Sequence, residues 1–139
     1  MRTWIAAACA LALVAVPVTA TAAPSRHAAK PTVTIGFVKD AVPGASYLWN
    51  GQATSGETGQ VTVVGMKLAP PDLTIAFIFQ GSDQTRSFVA QLSGTIDTTG
   101  HISLTGTVLG GWLAHAHTHL EAQASADLSH VVGTIAIDR

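Results

Sequence analysis

Residues 73–109 read LTIAFIFQGSDQTRSFVAQLSGTIDTTGHISLTGTVL. Leu73, Ile75, Phe77 and Phe79 fall on one side of an extended chain, and Phe88, Ala90, Leu92 and Ile96, then Ile102, Leu104 and Val108, repeat the pattern. A period of two sends successive side chains to opposite faces, so each run presents one apolar face to a core. Gly81-Ser82-Asp83 and Asp97-Thr98-Thr99-Gly100 separate the runs with residues that favour turns. Strands joined this closely are antiparallel, because a parallel return needs a crossover of about a dozen residues. The stretch therefore predicts antiparallel strands of an all-β fold.

Outward from it the pattern continues. Candidate strands cover 32–38, 46–54, 60–68, 73–80, 86–96, 101–109, 113–126 and 131–138, separated by Pro43-Gly44, the polar run 55–59, Ala69-Pro70-Pro71 and Gly110-Gly111. Eight antiparallel strands in a meander, closed into a small barrel or folded into a sandwich, is the expected architecture. In 113–126 the alternation points Ala114, Ala116, Thr118, Leu120, Ala122 and Ala124 inward and His115, His117, His119, Glu121 and Gln123 outward. Small inward side chains imply a bulky neighbour, Trp49 or Trp112. The polar row Ser87, Gln91, Ser93, Thr95, Ser103, Thr105 and Thr107 either lines a hydrophilic cavity or forms plain surface, and alternation alone does not distinguish the two.

The chain opens with Arg2, an apolar block from Trp4 to Val16, Pro17 and the A-x-A end Ala20-Thr21-Ala22. This is the pattern of a cleaved signal peptide over 1–23, so the protein is expected to be secreted or periplasmic. The block is too short for a stable membrane span, which needs about 20 apolar residues. Residues 24–31 read as a polar leader, and 32–139 as one β-domain. Cys9 leaves with the signal, which removes disulfides and thiolate chemistry from the exported form. Six basic against eight acidic residues remain, a net charge of 6 − 8 = −2, which offers nucleic acid nothing. The alanine-rich, lysine-poor composition is of the kind found in GC-rich bacteria.

The candidate chemistry lies in the histidines. A three-residue loop at Gly110-Gly111-Trp112 would set Thr107 opposite His115, Ser103 opposite His119 and His101 opposite Glu121, and a turn over 127–130 would set Asp138 opposite His119. Histidines two apart on a strand point the same way. His115, His117 and His119, with His101 and Glu121, could therefore offer nitrogen and oxygen to one zinc or copper ion. The pair resembles the strand-borne His-x-His of carbonic anhydrases, a likeness confined to those residues. The same row also reads as a solvated strand face with ordinary cross-strand pairs. Ser103, His119 and Asp138 have the residue types of a hydrolase triad, but flat strands supply no oxyanion hole. Tyr47 and Trp49, two apart, are either a stacking platform for a ligand such as a sugar or part of the core.

These features predict an exported, non-catalytic β-domain that binds a small molecule, a glycan or an envelope partner. Two alternatives stand beside it. One is metal binding or pH response through the histidine row, and the other a small barrel enzyme of cyclase or isomerase type.

Overall fold

A computed structural model describes residues 32–139. The expected signal peptide and leader lie outside the described residues. Eight strands follow one another: β1 (Thr32–Ala41), β2 (Leu48–Ser55), β3 (Gly59–Ala69), β4 (Asp72–Gly81), β5 (Phe88–Ile96), β6 (His101–Gly111), β7 (His117–Ala124) and β8 (His130–Asp138), with one 3-10 turn at Gln84–Arg86. Each strand pairs antiparallel with the next, and β8 returns to β1 in register from Thr32 opposite Asp138 to Asp40 opposite His130. The meander is thus a closed barrel rather than a sandwich, and closure leaves no sheet edge to template association.

The apolar faces read from the sequence meet inside. Ile35, Phe37, Val63, Phe77, Phe79, Leu92, Leu104, Ile135 and Ile137 are fully buried. The polar row from Gln91 to Thr107 faces outward, with Gln91, Ser93, Thr95 and Thr105 exposed. It does not line the interior.

The large rings crowd one end of the barrel. Phe37 meets Phe77 edge-on at 5.3 Å, Phe77 stacks on Phe88 at 6.2 Å, Phe79 lies 5.5 Å from Phe88, and Trp112 follows at 6.5 Å. At this lower end lie the connections 56–58, 82–87 and 112–116. The upper end, where 42–47, 70–71, 97–100 and 125–129 connect the strands, is walled instead by aliphatic residues and by Ala122 and Ala124. Of the two tryptophans considered as the bulky partner of these alanines, Trp49 shares their space.

Two hairpins differ from the expected register. β7 begins at His117, not at residue 113, because Leu113 and His115 adopt left-handed conformations (φ 61° and 70°) that break an extended run. The hairpin closes instead where Val108 exchanges hydrogen bonds with His115 and Ala116. Thr107 therefore faces His117, Thr105 faces His119, and Ser103 faces Glu121. The β7–β8 turn is also longer than expected, so Ala124 pairs with Val131 and His117 with Asp138. Both slips are of two residues, which preserves the face of every side chain in the ladder. Ala114, expected inside, is in the loop and exposed.

Candidate functional site

β1 carries Val33, Ile35, Phe37, Lys39 and Ala41 on its inward face, so one cation falls among apolar residues. Lys39 is only 7% exposed. It is opposite Gly51 on one side and Val131 on the other. A Cβ at Gly51 would collide with the Val38 carbonyl oxygen, so glycine lets β1 and β2 close tightly beside the lysine.

The Lys39 side chain lines an upper-end cavity of about 50 Å³ together with Phe37, Trp49, Leu104, Leu120, Ala122 and Ala124. Its amine stands 4.9 Å from the centroid of the Trp49 ring. Among the described residues no carboxylate pairs with it. Burial alone pushes the amine down from 10.5 to about 7, since removal from water penalises the charged form.

The cavity has a built roof. The Trp49 indole N–H donates to the Leu128 carbonyl oxygen at 2.9 Å, and Leu128 sits at φ 61° in the loop after β7. Asp127 folds that loop by accepting from the Ser129 hydroxyl at 2.6 Å, the Ser125 hydroxyl at 2.8 Å and the Ser129 N–H at 3.1 Å. The Ser129 and Ser125 hydroxyls hold the Asp127 carboxyl down to about 2. The Ala41 N–H donates to the Ser129 carbonyl at 2.7 Å and fastens the loop to β1. Outside the roof runs a groove of about 400 Å³ between Ala41, Ala45, Pro70 and Leu128. Trp49, Leu68, Leu73 and Leu128 line both spaces, which adjoin along these side chains. Tyr47, Met66 and Leu68, all well exposed, lie along the same rim, with the Gly65 N–H donating to the Tyr47 carbonyl.

Tyr47 sits in the turn before β2, and Trp49 on β2 itself. Trp49 is buried, whereas Tyr47 is 55% exposed and lies outside.

On the outer face, β6 and β7 bring together His101, His119 and Glu121. His101 Nε2 is 2.7 Å from one Glu121 oxygen and His119 Nε2 is 2.6 Å from the other. The Ser103 hydroxyl also donates to Glu121 at 2.6 Å. That hydrogen bond, first, and the two imidazoles hold the Glu121 carboxyl below its usual range. The longer loop takes His115 out of this row and into a shallow groove at the lower end with His117, Asp138 and Arg139. Among the described residues no three His, Cys, Asp or Glu side chains are arranged to hold a metal ion. Ser103, His119 and Asp138 do not form a relay, since Ser103 is spent on Glu121 and Asp138 faces His117.

The first-strand reading ended at Val38 and so missed Lys39. The signal was present in the chain, because the period of Val33, Ile35 and Phe37 runs on through Lys39 to Ala41. Comparison of the chain with protein-family models, with curated proteins and with solved structures finds no match.

Proposed function

We propose that this protein is an exported, non-catalytic binding domain that takes up a small, largely apolar molecule at the upper end of its barrel. The observation that carries the reading is the apolar cavity beneath the Trp49–Leu128 roof, continuous in its wall with an outer groove and bordered by exposed apolar residues. Ligand sites are concave, mostly apolar and supplied with few polar groups, and barrel mouths are a usual place for them. Lys39 supplies the polar group.

The test is titration with octan-1-ol, read by the emission of Trp49 in a Trp112→Phe background. Ala124→Leu fills the cavity and should abolish that response, while Val132→Ser on the outer wall should leave it intact. An alcohol that leaves the wild-type protein unaffected, or binds folded Ala124→Leu equally well, overturns the reading.

A second reading rests on the pairing of His101 and His119 by Glu121, which ties β6 to β7 through a charge that acid removes. It makes the outer face a pH-sensitive clamp.

A further inference from the structure

We propose that the molecule taken up is a monocarboxylic acid with an aliphatic chain, bound with its carboxylate inside the cavity against Lys39 and its chain in the outer groove. This inference rests on the binding reading above and assigns its ligand class.

Three features carry it. First, Lys39 is a cation buried with no counter-charge among the described residues, and a buried charge is costly unless paired. The groups that pack around it leave it alone. From β2 it meets Trp49 and Gly51, from β8 Val131, and across the cavity Leu104, Leu120 and Ala122. The nearest titratable groups turn elsewhere, with Asp40 held by His130 at 2.6 Å on the outer face and Asp127 engaged by its own loop. A ligand anion would supply the missing partner. Second, the inner cavity is small. At about 50 Å³ it is roughly a third of the 150 Å³ that holds benzene, enough for the three heavy atoms of a carboxylate and little more. A chain must therefore remain outside. Third, the outer groove offers that chain Ala41, Ala45, Leu68, Pro70 and Leu128, with Ser46, Ser129 and the Asp127 carboxylate, engaged by its own loop, on its polar side.

The pairing has a thermodynamic signature. Above pH 7 the empty protein holds Lys39 largely neutral, and a bound carboxylate restores the ammonium, so binding near pH 8 must take up a proton.

Octanoate, octan-1-ol and octanal separate the alternatives on the folded wild-type protein and on Lys39→Met. Calorimetry at pH 8 in buffers of different ionisation enthalpy should show octanoate binding at least tenfold tighter than octanol, with uptake approaching one proton per ligand. Lys39→Met should lose both the preference and the proton uptake while still binding octanol, which also reports that it is folded. If neither ligand binds the wild type, the binding reading itself fails. If octanol binds as well as octanoate, or Lys39→Met keeps the preference, only the carboxylate assignment fails. Octanal trapped at Lys39 by cyanoborohydride, with octanoate unable to compete, would also overturn that assignment and mark Lys39 as a carbonyl-capturing amine.

Discussion

Lys39 lies over the face of Trp49, its amine 4.9 Å from the ring centroid, in a barrel interior that is otherwise apolar at that end. The aromatic quadrupole attracts the cation, but such contacts are worth about 2 kcal/mol even when desolvated, less than the cost of burial that the lowered amine reflects. The lysine is thus kept at a cost to stability.

This cost depends on pH. The folded-state amine titrates near 7 and the unfolded one at 10.5, so the unfolded chain binds more protons between those values. Stability should then rise from about pH 7 to 10.5, the penalty being complete below the folded value. Lys39→Met should abolish the rise and stabilise the protein at pH 6 by up to about 5 kcal/mol, the energy of lowering the amine from 10.5 to about 7. Urea denaturation at pH 6, 8 and 10 checks it. Parallel pH profiles of the two proteins would contradict the burial of a charged amine.

The roof hydrogen bond can be removed by Trp49→Phe, which leaves the Leu128 carbonyl without its donor. A loss of about 1 to 3 kcal/mol is expected. Hydrogen exchange should quicken in 125–130 and not at the lower end. Uniform acceleration would mean that the bond does not act on the roof in particular.

Leu104 and Ile135 are 1% and 0% exposed. Truncation of either to alanine should cost about 2 to 5 kcal/mol, whereas Thr105→Ala on the outer face should cost far less. Chemical denaturation of the three variants would reveal an inverted face assignment if Thr105 proved the expensive site.

Thr118 is buried inside β7 and its hydroxyl has no hydrogen-bond partner among the described residues. Thr118→Val keeps the shape and removes the orphaned group, so it should stabilise the barrel by about 1 kcal/mol. A clear loss of melting temperature would show that the hydroxyl is satisfied in solution.

Acid should open the outer clamp. The Glu121 carboxyl lies below its usual range, so its contribution is present above the unfolded value of about 4.5 and is lost as pH falls through the folded one. Glu121→Gln should be less stable than wild type at pH 6, and the difference should shrink as pH falls below about 4.5. Thermal melts at descending pH decide it, and a difference that did not change with pH would remove the charge from the explanation.

Most of the strands and their faces are legible in the chain alone. Alternation in Leu73 to Phe79, in Phe88 to Ile96 and in His101 to Val108 is a local property of the chain, and short turn-rich connections permit antiparallel pairing alone. The outward placement of His117, His119 and Glu121 followed in the same way. What local pattern does not contain is loop geometry. The left-handed residues Leu113 and His115 are not types that announce such a conformation, and the two extra residues they fold into the hairpin set Glu121 opposite Ser103 rather than His101. Glu121 still reaches His101, because diagonal neighbours on one face remain within reach of long side chains. Closure, too, depends on the tertiary structure, since β1 and β8 lie at opposite ends of the described chain and meet only when the sheet's accumulated twist brings them together. That meeting turned Lys39, one charged residue in an apolar alternation, into a lone cation in a greasy cavity: β2 supplied Trp49, β7 the alanines that leave room beside it, and the loop after β7 the roof.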